Sequence, residues 1–201
     1  MPNPSIRRDV LRHPLIQTLE LMRIIITLAL LLSFSLSASA DDLNYAPDKA
    51  TITASDIPKN APKFEDYLVE EIFQGKPALP KINTSPEFRN MRTKIREGAK
   101  TGVNFAGHYN LIFVGCGAGA VCLSAIADVK KGDLYRSDLL GSIENLNIAP
   151  DVEEHFIEYR KDSRLIRVIG LINEDQNLRG VSYFVWENNK FKRVKFVHHP
   201  S

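Results

Sequence analysis

The last third of the chain limits the fold more than any other stretch. From Phe156 to Val197, short apolar-polar runs are separated by turn formers. They are Phe156 to Arg160, a Lys161-Asp162-Ser163 turn, Leu165 to Asn173, Val181 to Glu187, and Phe191 to Val197. A period of two belongs to a strand with alternating faces. Asn188-Asn189 separates the last two runs, and asparagine tolerates the positive φ that a two-residue hairpin turn demands. Parallel strands would need crossover helices, and no helical pattern stands between these runs. Consecutive antiparallel hairpins follow.

The same period governs an earlier block. Tyr109, Leu111 and Phe113 alternate with Asn110 and Ile112 up to Gly115, and Val121 to Val129 follows. Lys130-Lys131-Gly132-Asp133 then forms a turn before a short strand through Tyr135, while Asp138 to Glu154 is irregular. Helical spacing appears only ahead of the strands. Phe64, Tyr67, Leu68 and Ile72 mark one helix, ended by Gly75 and Pro77. Ser85, Pro86 and Glu87 suit the cap and first turn of a second, whose stripe is Phe88, Met91, Ile95 and Ala99, with Gly102 as its stop. The expected fold is α+β, with two N-terminal helices packed on a five- to six-stranded antiparallel sheet of sequential hairpins. Residues 63–201 form the expected domain, and 41–62 an extended arm.

The segment before that arm changes what the composition means. Arg23 precedes a run from Ile24 to Leu32, which thins into Ser33-Phe34-Ser35-Leu36 and reaches Ala38-Ser39-Ala40. A basic start, a short apolar stretch and an A-x-A site are the parts of a secretory signal, so residues 1–40 are the expected signal and cleavage falls between Ala40 and Asp41. Met22-Arg23 offers an alternative start. The run falls short of the ~20 apolar residues of a membrane span. The formal net charge is +2, but residues 1–40 hold Arg7, Arg8, Arg12 and Arg23 against Asp9 and Glu20. The remaining 161 residues therefore carry 22 basic and 22 acidic groups. That balance argues against a nucleic-acid binder recognised by bulk charge. The expected address is the periplasm or the exterior, without a stable span after cleavage.

Cys116 and Cys122 flank Gly117-Ala118-Gly119-Ala120-Val121 between two apolar strands. In an exported chain such a pair is expected to oxidise. Opposed residues across a hairpin lie about 4.5–5.5 Å apart, inside the disulfide range. Closing so short a loop contributes roughly 2–2.5 kcal/mol. The alternative, a reactive thiol with His108 as base, needs the thiolate that pairing removes. Gly115 to Ala120 also matches G-x-G-x-x-A, but a dinucleotide loop opens a helix, and this sequence continues as strand. No cofactor is expected.

Asn104-Phe105-Ala106-Gly107-His108-Tyr109 begins the first sheet strand. Alternation places His108 with Asn110 and Ile112, opposite Tyr109 and Leu111. His108 is a candidate general base, with Asp128 as its carboxylate, or lines a binding cleft with Asn104 and Asp128; Asn104, His108 and Tyr109 are partner-binding candidates, and His108 also suits a purely structural role bonded to backbone. Arg89, Arg92 and Arg96, with Lys100, recur at helical spacing, as a docking stripe for an acidic partner or as a solvated face. His198-His199 lacks companions at metal-ligand spacing, and no metal is expected. A G-x-S-x-G nucleophile motif is absent from the sequence.

The Asn104 to Tyr109 run, followed by Gly115-Cys116-Gly117, Cys122, Asp128 and Lys131-Gly132, resembles a family of small exported bacterial proteins of unknown function. The resemblance covers residues 84–136 well and the C-terminal hairpins loosely. The chain departs from the pattern in its longer cysteine gap and in Val114, where a tryptophan is usual. The resemblance implies an envelope location and a bacterial source, but no activity. The expected function is a non-enzymatic binding, inhibitor or immunity-type protein that meets an envelope protein or a small ligand. The alternative is a small hydrolase-like enzyme using His108 and Asp128.

Overall fold

Eight strands pair in one antiparallel sheet. The computed structural model describes residues 51–200 except Ala118 and Glu154. The expected signal, its cleavage site and the first part of the arm lie outside the described residues. The strands are β1 (Tyr109–Gly117), β2 (Ala120–Asp128), β3 (Leu134–Tyr135), β4 (Ser142–Asn145), β5 (Ile157–Tyr159), β6 (Leu165–Ile172), β7 (Arg179–Glu187) and β8 (Lys190–His198). Their order is β1-β2-β4-β6-β7-β8, with β3 against β2 and β5 against β6.

Eight strands correct the five or six expected: the short β3 and β5 lie where short runs were read, and β4, with only four residues, shows no period at all. β4 is the consequential one, since it arises in the stretch expected to be irregular and joins the two hairpin blocks. It pairs with β2 through Val121 and Cys122 and with β6 through Gly170, Leu171 and Ile172. Asn173 holds its start: Oδ1 accepts from Gly141 N (2.9 Å) and Ser142 N (3.1 Å), and Nδ2 donates to the Asp138 carbonyl.

One sheet face carries Tyr109, Leu111, Ile126, Ile143, Ile166, Val168, Ile172, Phe184, Trp186 and Phe191 into a single core. Each full aliphatic or aromatic burial of this kind stabilises by about 1.5–3 kcal/mol. Tyr109 and Trp186 rings stand 5.3 Å apart and Phe105 and Phe191 rings 5.9 Å apart, although β1 and β8 are the two ends of the strand order. The sheet therefore curls around this aromatic core.

The opposite face is covered twice. Helices α1 (Pro86–Asn90) and α2 (Arg92–Lys100) press Phe88, Ile95 and Ala99 onto Ile112, Ala125 and Ala127. Ser85 Oγ accepts from Phe88 N, as the cap signal predicts, but Met91 (φ −98°, ψ 12°) divides the expected helix in two. Over β6 and β7, Ile52 and Phe64 pack on Leu165, Ile169, Val181 and Val185.

The other expected helix is a correction. Only one 3₁₀ turn forms, Phe64–Tyr67, and Leu68 is already extended (φ −60°, ψ 150°). The chain then runs as a strap whose amides bond to distant segments. Val69 N donates to the Asp162 carbonyl (2.9 Å), Phe73 N to the Gly107 carbonyl (2.8 Å), and Arg164 N to the Tyr67 carbonyl (2.9 Å). Buried Ser163 Oγ donates to the Phe64 carbonyl (2.8 Å). These bonds supply the backbone partners that a helix would have found locally.

Candidate functional site

The residues singled out in the Asn104 to Tyr109 run enter the structure through a tight turn. Ala106 (φ 43°) and Gly107 (φ 79°) are left-handed, and Tyr109 N returns to the Phe105 carbonyl at 2.9 Å. A Cβ on Gly107 would lie 2.6 Å from the Glu71 carbonyl oxygen, so the strap passes where only glycine fits. This turn takes His108 out of the strand alternation. β1 begins one residue later, at Tyr109, and the imidazole tilts over the Tyr109 ring, centroids 4.2 Å apart. His108 thus shares a cleft with Tyr109 instead of facing the helices with Asn110 and Ile112, as alternation implied.

Asp128 closes β2 beneath the imidazole. Its carboxylate is 1% exposed, and Oδ1 accepts from Lys130 N (2.9 Å) and Lys131 N (3.1 Å), which shapes the turn before β3. Oδ2 lies 3.9 Å from His108 Nε2, beyond hydrogen-bond range but close enough to attract a protonated ring. The His108 side chain is 35% exposed. Burial holds its pKa below 6.5; Asp128 opposes this, while the Lys130 and Lys131 charges reinforce it.

His108 opens onto a cleft of about 650 Å³, which the buried Asp128 does not itself line. The strap forms one wall with Leu68, Val69, Glu70 and Glu71, and the β7–β8 turn forms another with Trp186, Glu187, Asn188 and Asn189. Lys130 and Arg164 complete the rim. Tyr109 Oη donates to Asn189 Oδ1 at 2.7 Å, tying the floor to that turn. Burial raises the Tyr109 phenol, while the nearby Trp186 indole N–H pulls it down. That buried N–H makes no hydrogen bond of ordinary geometry. Leu68 is 54% exposed at the rim, and Glu187 is taken by Arg164 at 3.3 Å. Glu70 and Glu71 are exposed, and among the described residues neither has a cation within ion-pair distance.

The other singled-out residues lie elsewhere. Asn104 brackets the outer edge of β1: its Oδ1 accepts from Leu111 N (2.8 Å) and its Nδ2 donates to the Leu111 carbonyl (3.1 Å). It lines a separate hollow with Asn110 and Phe113, not the His108 cleft. Arg89, Arg92 and Arg96 are exposed on α1 and α2 and do not line the cleft either. Cys116 and Cys122 sit at disulfide distance with Cα atoms 5.8 Å apart. They are not directly opposed, because Cys122 pairs with Val114 and Cys116 falls in the register shift between Gly115 and Gly117. The glycine loop is a hairpin tip, so no helix follows it to hold a phosphate.

Sequence reasoning missed the strap and the Trp186–Asn189 wall. Asn188-Asn189 was legible as a turn but carried no sign that it would meet Tyr109. Among the described residues, no group of three or more His, Cys, Asp or Glu side chains converges on a metal-sized site, and no helix is long and apolar enough to cross a membrane. No protein-family model, no curated protein and no solved structure matches the chain.

Proposed function

We propose that the chain is an exported, non-enzymatic envelope protein that binds a partner through the His108 cleft. The export signal expected over residues 1–40 supports the address. The Cys116–Cys122 pair and the lack of a membrane-crossing helix among the described residues are compatible with it. The resemblance of the Asn104 to Tyr109 run to small exported bacterial proteins points the same way. The observation that carries the binding reading is the cleft rim. It sets an exposed leucine beside a half-buried imidazole and two carboxylates without ion-pair partners, Glu70 and Glu71. An apolar contact ringed by polar groups is the composition of a recognition surface. Among the described residues lining this cleft there is no Ser, Thr or Cys to act as a nucleophile.

Affinity capture from an envelope extract tests this. The full chain is expected to return a stoichiometric partner that Glu70→Lys/Glu71→Lys no longer retains. Equal retention by that variant overturns the cleft as the interface. If Arg92→Glu/Arg96→Glu alone abolishes capture, the interface moves to the helices.

The His108–Asp128 pair favours a second reading, a small hydrolase-like enzyme. An imidazole whose pKa burial lowers, faced by a fixed carboxylate, is suited to taking a proton from water. Turnover of ester, phosphoester or peptide substrates that disappears in His108→Asn supports it. The absence of turnover removes it.

A further inference from the structure

The sheet's two edges are finished differently. At the β1 edge, the chain covers itself: Asn104 N and Phe105 N donate to the Tyr109 carbonyl, and the Asn104 amide brackets Leu111. At the β8 edge, no such cover exists among the described residues. The two-residue turn makes Glu187 and Lys190 the hydrogen-bonded pair of this hairpin, so Phe191 directs its N–H and C=O away from β7, and Arg193, the last residue before a register shift at Val194, its N–H. The parity agrees with Trp186 N, opposite Phe191, which donates to Arg164 in β6 at 2.9 Å. No backbone group outside β7 bonds to β8 from Lys190 to His198 among the described residues.

Charge distinguishes this edge further. Lys190, Lys192 and Arg193 are exposed, and among the described residues none has a carboxylate within ion-pair distance. Lys195 reaches the Asn60 side chain instead, and no acidic residue occurs from Lys190 to Ser201. Lysines on an open edge ordinarily prevent self-pairing, because two copies would oppose like charges. The same charges leave the edge open to a strand of opposite sign.

We propose that β8 is a docking strand for an extended acidic segment of a partner protein, which adds to the sheet through the outward backbone groups of Phe191 and Arg193 and sets its carboxylates against Lys190, Lys192 and Arg193. Backbone bonds supply the pairing, and the cations select the partner. None of Lys190, Phe191, Lys192 and Arg193 lines the His108 cleft, although the β7–β8 turn leading into them forms one of its walls, and Glu70→Lys/Glu71→Lys leaves this edge intact.

The probe is an acetylated and amidated peptide of about seven residues alternating Glu and Val. The full chain is expected to bind it, with at least tenfold slower amide exchange at Phe191 and Arg193 than in the free protein, and with affinity falling as salt rises. Lys192→Glu/Arg193→Glu is expected to weaken binding at least tenfold. Arg193→Pro removes one outward N–H without touching the β7 ladder and is expected to weaken binding while the unfolding midpoint holds. Should that variant not fold, the charge reversal alone decides. A control peptide of the same charge with Pro replacing Val is expected not to bind. The proposal is overturned if the proline peptide binds equally, if phosphatidylglycerol vesicles bind and the Glu-Val peptide does not, or if the two amides gain no protection.

Discussion

The β1–β2 hairpin is held in two ways along its own length. At its base, Tyr109, Asn110, Leu111 and Ile112 are buried opposite Asp128, Ala127, Ile126 and Ala125. The aromatic core packs on one face there and α2 on the other. At its tip, Gly115, Cys116 and Gly117 are exposed, and the Cys116–Cys122 link crosses a register shift. Packing needs neighbours on the far side of the strand; a covalent link does not. The β1 side of the tip is exposed, although β4 pairs with Val121 and Cys122 on the other strand, and this is therefore where a disulfide contributes most, while the base is free to carry His108 and Asp128.

The largest expected effect falls on the base. Phe105 is fully buried against Tyr159 and Phe191, and Phe105→Ala is expected to cost about 3–5 kcal/mol in urea unfolding. A loss below about 1 kcal/mol would mean that the base does not rest on this core. Next, replacing both cysteines by alanine is expected to cost roughly 2 kcal/mol. Amide exchange should then rise from Val114 to Cys122 and not at Tyr109 or Leu111; a change at both ends would break the contrast. A smaller effect, about 1 kcal/mol, is expected for Asn104→Ala, which frees both edge groups of Leu111.

The smallest effect is in pH. His108 binds its proton more weakly folded than unfolded, so its contribution to stability is fully present above the unfolded value of 6.5 and is lost as pH falls below that. Partial exposure of the ring keeps the effect small. His108→Gln should reduce the loss in urea midpoint between about pH 7.5 and about pH 5. An unchanged loss would assign that dependence to other groups.

These contrasts follow the line between what was legible beforehand and what was not. The hairpin turn at Asn188-Asn189, the cap at Ser85 and the cysteine pair each rest on neighbours within a few positions, and each appears where it was expected. Ser142–Asn145 stayed hidden because four residues carry no usable period, and its place comes from Asn173 and Gly170, far along the chain. Phe64 to Ile72 read as helix because its apolar spacing fits that period, yet Asp162, Ser163 and Gly107 offered its backbone better partners. His108 lies 3.9 Å from Asp128, but its direction departs from the alternation, since two left-handed residues ahead of it interrupt the period.

By itself, the sequence determined the antiparallel hairpin character and the residues able to cap, turn and cross-link, because those depend on local backbone preference and on a period of two. Tertiary structure alone decided that β4 joins the two hairpin blocks, that a strap forms in place of a helix, and that Tyr109 meets Asn189, 80 positions away, to close a cleft over His108. The physical reason is that each of these depends on backbone and side-chain partners brought together only when the sheet curls, and no local preference specifies which distant group will satisfy a given donor.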